Sequence, residues 1–181
     1  MSATLAKYGI EAISLDQAGV YIEPEETGDT FYANALIKAK VICNETGKPV
    51  IADDSGFCVE SLGGAPGVYS KDYGGEGLTA AERCSFLLKN MEKMELRAAK
   101  FVCSIVCLFP DGKILSAVGE CHGEISRKPA GTGGFGYDPV FYIKELGKTM
   151  AELTPEEKNE ISHRGQALKK LVEILSNEAY S

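Results

Sequence analysis

The chain has 181 residues, with 19 Lys and Arg against 26 Asp and Glu for a net charge of −7, 44% hydrophobic residues and 25% charged ones. That length and balance suit one globular domain spanning residues 1–181 with a sizeable core, and they exclude wholesale disorder. The acidic balance excludes a protein that grips nucleic acid through its phosphates, and no apolar run approaches the ~20 residues that cross a bilayer.

The N-terminal residues lack the apolar stretch of a secretory signal, so a cytoplasmic location is expected. The cysteines, at positions 43, 58, 84, 103, 107 and 121, show no C-x-x-C spacing and read as reduced, mostly buried thiols.

Residues 11–15 read as a short strand, followed by the acidic turn EPEETGD at 23–29. Apolar residues Phe31, Ala35, Ile37, Ala39, Val41 and Ile42 predict a helix over 30–46, which Gly47 and Pro49 end. Residues 49–53 and 56–60 predict two short strands, leaving Asp53, Asp54, Ser55 and Gly56 at a corner between them. A glycine-rich loop follows at 61–77, and Thr79 with Glu82 has the spacing of a capping box opening a helix to about residue 94. Residues 98–109 and 113–126 predict a long hairpin turned at Asp111-Gly112. Residues 128–138 are again rich in glycine. Thr154, Pro155 and Glu157 mark another helix start, and a final helix over 162–177 presents Leu168, Leu171, Val172 and Leu175 on one face. Interleaved strands and helices give an α/β class with a long mixed sheet.

Three clusters carry chemistry. The first is acidic: Glu25 and Glu26, then Asp53 and Asp54. Carboxylates beside Ser and Gly suit Mg²⁺, which takes hard oxygen ligands and shares them with substrate phosphates, but they equally suit a solvated turn. The second is GTGGFGYDP at 131–139, whose glycines allow close approach and whose Phe135 and Tyr137 offer ring faces. It is neither a P-loop nor a Rossmann turn, and a loop anchored in the core by its aromatics fits the spacing as well. The third is Lys158 to Arg164, where Lys158, Ser162, His163 and Arg164 gather near a helix N-terminus that favours oxygen-rich groups. His122 has no such company and reads as structural. No nucleophile triad is present, so the set favours nucleotide hydrolysis over acyl transfer.

In order along the chain, TGDTFYANALIKA at 27–39, ADDSG at 52–56, LGGAPGVYS at 62–70, GGFGYDP at 133–139 and AELTPEEKN at 151–159 followed by ISHRG at 161–165 together resemble the inosine triphosphate pyrophosphatase (XTP/dITP diphosphatase) family. The resemblance runs from about residue 5 to about residue 175. It implies two lobes around a central cleft, a homodimer, and Mg²⁺-dependent hydrolysis of ITP, dITP and XTP to monophosphate and pyrophosphate, clearing deaminated purines from the nucleotide pool. By position, Asp54 is similar to the catalytic and metal-binding aspartate and Glu26 to a second metal-linked carboxylate. Ser55 is similar to a substrate-contacting serine, and Phe135, Gly136, Tyr137 and Asp138 to the base-binding stretch. Lys158, His163 and Arg164 are similar to residues that hold substrate, the last two at the base. Given such a substrate, donors from the Ser162-His163-Arg164 turn would suit the 6-oxo group of hypoxanthine and an acceptor such as Asp138 its N1–H.

The chain departs from this pattern in two places. Relatives open with an apolar strand and a [ST]-G-N-x-x-K phosphate loop, neither of which occurs here, and Ala33 stands where many have glutamate. The expectation is an active diphosphatase in which basic residues such as Lys38 or Lys71 serve the phosphates. The alternative is a nucleotide-binding or dimer-forming homologue with weak or lost turnover.

Overall fold

The structure, a computed structural model, describes residues 2–179. Five α-helices, α1 (Ser2–Ala6), α2 (Phe31–Thr46), α3 (Ala80–Asn90), α4 (Pro155–Ile161) and α5 (His163–Ala179), accompany six strands. The strands are β1 (Val50–Val59), β2 (Pro66–Gly67), β3 (Ala98–Leu108), β4 (Ile114–Ile125), β5 (Phe141–Ile143) and β6 (Lys148–Thr149), and they form one sheet in the order β2-β1-β3-β4-β5-β6. Phe57 faces Gly67, Glu124 faces Tyr142 and Tyr142 faces Thr149 in antiparallel register.

The α/β class is as expected, but the sheet is antiparallel where interleaved elements predicted a mixed one. β3 folds back into β4 through a three-residue turn closed by the Phe109 N–H donating to the Lys113 carbonyl at 2.9 Å, the hairpin the sequence predicts.

Two further expectations are corrected. Residues 50–60 do not form two strands with a corner; β1 is a single ten-residue strand, so Asp53 to Gly56 lie inside the sheet. Residues 11–15 form no strand: Ile10 and Ala12 pack sideways onto a core cluster while Ile13 and Leu15 stay exposed.

The chain divides into two compact units, and each long strand contributes to both. The first contains residues up to Asp54, Cys103–Gly119 and residues from Gln166 onward. There β3 is buried on both faces because a helix covers each. Val106 and Leu108 meet Ala35, Ala39 and Cys43 of α2, whereas Cys103, Ile105 and Cys107 meet Ala167, Leu168, Leu171 and Val172 of α5. Alanines at 35 and 39 let α2 lie close to the sheet, which brings its polar stripe near the strand.

The second unit contains Ser55–Val102 and Glu120–Gly165. Its core is aromatic: Phe57 packs on Phe101, Tyr137 and Phe141, with Cys84, Leu87 and Met91 of α3 beside them. Capping boxes close at Thr79 with Glu82 and at Thr154 with Glu157, as the sequence spacing predicts. A third, Thr149 with Glu152, caps a short 3-10 turn. All six cysteines are free, five of them buried. Among the described residues no helix is long and apolar enough to cross a membrane.

Candidate functional site

In the first unit the acidic cluster is organised by α2. Thr30 caps the helix, its hydroxyl accepting the Ala33 N–H at 3.1 Å, and four residues on, Asn34 and Lys38 share one helix face. Strand alternation puts Asp54 on the same sheet face as Val50 and Ala52, the face α2 covers. Asn34 Nδ2 donates to Asp54 Oδ2 at 3.2 Å, and its Oδ1 accepts the Gly28 N–H at 2.7 Å. Only glycine permits that approach, since a Cβ at position 28 would meet Ala33 Cβ and Asn34 Oδ1, each at 2.7 Å. The Asn34 amide thus ties the loop carrying Glu26 to the strand carrying Asp54.

Lys38 completes the arrangement. Its Nζ lies 2.9 Å from Glu26 Oε1 and 3.3 Å from Asp54 Oδ1, so one ammonium spans both carboxylates. The Asp54 side chain is 11% exposed and that of Glu26 46%. Burial pushes the Asp54 carboxyl above its ordinary value, Lys38 and the Asn34 hydrogen bond pull it down, and Glu26 adds to the rise. On the opposite sheet face Cys103 Sγ lies 3.7 Å from Asp53 Oδ2.

Two carboxylates converging on one cation form a donor set that fits a hard divalent ion. No group of three or more His, Cys, Asp or Glu that could hold a metal occurs among the described residues, so such an ion would complete its shell with water or substrate oxygens. Ala33, half-buried in the first turn of α2, has no side-chain oxygen to add.

The remaining predicted residues all fall in the second unit. Asp138 is 2% exposed and works inward: its Oδ2 accepts the Phe135 N–H at 2.6 Å and pairs with Lys158. The Lys158 ammonium also lies 4.4 Å from the centroid of the Phe135 ring. Phe135 is 62% exposed and offers an open ring face, whereas Tyr137 is buried, with its ring stacked 4.7 Å from Phe57 and its hydroxyl donating to the Ser70 carbonyl at 2.8 Å. Burial pushes the Tyr137 phenol well above its ordinary value. The Gly136 carbonyl is approached by Cys84 Sγ at 3.3 Å.

His163 and Arg164 open α5. His163 is buried with its ring stacked on Phe101, centroids 5.0 Å apart, and Arg164 is exposed. Ser162 Oγ accepts the Gly165 N–H at 3.1 Å, which caps this turn. Ser55 lies on β1, part-buried, directly after Asp54. His122 is exposed and pairs with Glu120 at 3.0 Å, away from these clusters in its hydrogen bonding.

Asn34 is a candidate site residue that the motif spacing alone does not single out; its hydrogen bonds to Gly28 and Asp54 do. Its signal was present: a polar residue four before Lys38, flanked on the helix by the buried alanines.

Residues 1–174 match the model of the Ham1 family. The dITP/XTP pyrophosphatase of Bacillus licheniformis is 49% identical over 175 residues, covering 96% of this chain and 89% of the relative. That of Escherichia coli (strain K12) is 46% identical over 181 residues, covering 98% of this chain and 91% of the relative. Among solved structures, the Staphylococcus aureus Ham1 protein superposes with a TM-score of 0.91 at 37% identity, covering 98% of this chain and 93% of that one.

Proposed function

The chain belongs to the Ham1 family, and on that premise we propose that it hydrolyses deaminated purine nucleoside triphosphates, ITP, dITP and XTP, to the monophosphate and pyrophosphate. The Bacillus licheniformis and Escherichia coli relatives are dITP/XTP pyrophosphatases, so turnover rather than binding alone is the reading.

The observation that carries the chemistry is the half-withdrawn carboxylate of Asp54, held by Asn34 and Lys38 within reach of the cation that also meets Glu26. A carboxylate with raised proton affinity is suited to take a proton from water. In this reading the water oxygen bonds the α-phosphorus while the bond to the α–β bridging oxygen breaks. Pyrophosphate leaves with that oxygen, and the proton passes to Asp54. Glu26 and Asp54 would hold Mg²⁺, which supplies charge neutralisation for the phosphate oxygens when bound. Lys38 keeps the two carboxylates from repelling each other and provides a donor for a phosphate oxygen.

Base recognition falls to the second unit. Phe135 offers the stacking face, and Asp138 fixes both its backbone and the Lys158 ammonium. Lys158, His163 and Arg164 bring donors that suit the 6-oxo group of hypoxanthine or xanthine; the 6-amino group of adenine would leave them mispaired. Ser55 follows Asp54 on the strand and provides a hydroxyl for the substrate. A homodimer and a cytoplasmic setting belong to the same proposal.

The test is a nucleotide panel on the purified chain with and without Mg²⁺, resolving pyrophosphate from orthophosphate. Pyrophosphate from dITP and XTP, lost on chelation and restored by Mg²⁺, is expected. Orthophosphate as the main product, or equal rates with dATP, overturns the reading.

A further inference from the structure

Ser70, three residues past β2, makes directed contacts through its hydroxyl, its N–H and its carbonyl. Its hydroxyl accepts the Phe57 N–H at 2.7 Å and donates to the Gly67 carbonyl at 2.5 Å. Phe57 and Gly67 are facing partners of the β1–β2 ladder, so this hydroxyl relays between the two strands. Its backbone N–H also donates to Gly67, at 3.1 Å, which holds the turn closed. The Ser70 carbonyl accepts the Tyr137 hydroxyl at 2.8 Å, and the Tyr137 ring lies on Phe57 with planes 13° apart. These contacts form a closed circuit: Ser70 to the Phe57 backbone, Phe57 ring to Tyr137 ring, Tyr137 hydroxyl back to Ser70.

The circuit matters because of what it anchors. Residues 131–138 carry glycines at 131, 133, 134 and 136, three of them with positive φ, so this loop has little stiffness of its own. Tyr137 sits two residues beyond the exposed Phe135 and next to Asp138. With its hydroxyl and ring both engaged, Tyr137 fixes the backbone that presents Phe135.

We propose that Ser70 is a positioning residue for nucleobase recognition, acting through the Phe57–Tyr137 stack on the loop that carries Phe135. This rests on the nucleotide-hydrolysis reading above. Ser70→Ala removes the relay: the Phe57 N–H loses its partner and the Gly67 carbonyl keeps only the backbone N–H of residue 70, so the 66–70 turn is held less firmly to β1, and with it the carbonyl that holds Tyr137. Tyr137→Phe opens the same circuit at another bond while keeping the ring.

The experiment measures KM and kcat for dITP with Mg²⁺ in wild type, Ser70→Ala, Ser70→Thr, Tyr137→Phe and the Ser70→Ala/Tyr137→Phe double variant, with amide exchange of residues 131–138 in parallel. KM is expected to rise about three- to tenfold in Ser70→Ala and Tyr137→Phe, with kcat within about twofold, and exchange in the loop to quicken. Ser70→Thr, which keeps the hydroxyl, restores wild-type KM. The double variant is no worse than the weaker single, because both changes open one circuit. Folded variants with unchanged KM and exchange, or effects that multiply in the double variant, overturn the role of Ser70. Should Ser70→Ala fail to fold, Ser70→Cys, which keeps the size of the side chain but weakens its hydrogen bonds, takes its place beside Tyr137→Phe. No pyrophosphate release by the wild type removes the hydrolysis reading and the nucleotide role of Ser70 together, whereas normal wild-type turnover with unmoved KM in the variants removes the Ser70 role only.

Discussion

The His163 imidazole lies parallel to the Phe101 ring, centroids 5.0 Å apart and planes 12° apart. Phe101 is itself wedged between Phe57 and Phe141, at 4.7 and 4.9 Å, so the orientation of a residue at the start of α5 is set by the strand core of its unit. Phe101→Leu removes the flat surface under the imidazole and part of the aromatic packing. A loss of about 1–3 kcal/mol in stability is expected, with KM for dITP raised more than kcat is lowered. Denaturant titration and steady-state kinetics measure both; an unchanged KM would separate His163 from base recognition.

Gly134 and Gly136 both adopt positive φ, +73° and +61°, but their surroundings differ. A Cβ at 134 would lie 2.0 Å from Asp138 Oδ2, whereas one at 136 would meet nothing within 4 Å. Gly134→Ala must therefore displace the carboxylate that holds the Phe135 N–H and Lys158, and a KM increase of about tenfold or more is expected. Gly136→Ala carries only the backbone strain of about 1 kcal/mol. Equal kinetic effects of the two substitutions would remove Asp138 from the organisation of this loop.

Asp54 links activity, metal and stability. Because burial raises its folded-state value above the unfolded one, the contribution of Asp54 to stability is present at pH values below the unfolded value and is lost as pH rises through the folded one. In metal-free buffer Asp54→Asn is therefore expected to melt higher than wild type at pH 7, the difference closing as pH falls below about 4. With Mg²⁺ added, only wild type gains stability. Activity of the variant falls by at least about a hundredfold. Thermal melts at two pH values check the sign, and a wild type more stable than Asp54→Asn at pH 7 without metal contradicts it.

The thiols give a probe independent of nucleotide. Burial pushes Cys84, Cys107 and Cys121 up to about 11, so at pH 8 roughly one in a thousand of each is thiolate. Cys58 is also raised but is the one cysteine that is partly exposed. A disulfide reagent at pH 8 is expected to modify Cys58 first and slowly, and all six thiols only after denaturation. Rapid native modification of Cys84 would show that α3 opens readily from the aromatic core.

What the sequence disclosed followed the range of the interaction. The capping boxes at Thr79 and Thr154 are local, three residues apart, and both close as written. The β3–β4 hairpin was legible for the same reason. Asp53 to Gly56 misled because two carboxylates interrupt an apolar pattern and read as a strand end. The strand continues because Asn34 and Lys38, on α2 some 16 to 20 positions away, neutralise Asp54 from the side. That partnership is tertiary and leaves no mark in the strand itself. β5 and β6, three and two residues long, are too short to carry a period. The candidate residues were found through motifs, but the inward use of Tyr137 and Asp138 depends on Phe57, Ser70 and Lys158, which only the fold brings to them.

The tip of the long hairpin offers a practical handle. Pro110, Asp111 and Gly112 are exposed, and the turn is closed by its own backbone between Phe109 and Lys113. Nothing approaches within 4 Å of the space a side chain at 112 would fill. A short epitope or a fluorophore attachment site spliced between Asp111 and Gly112 would project into solvent from both strands' ends, giving a reporter for immobilisation or single-molecule work that leaves the residues around Asp54 and Asp138 unaltered.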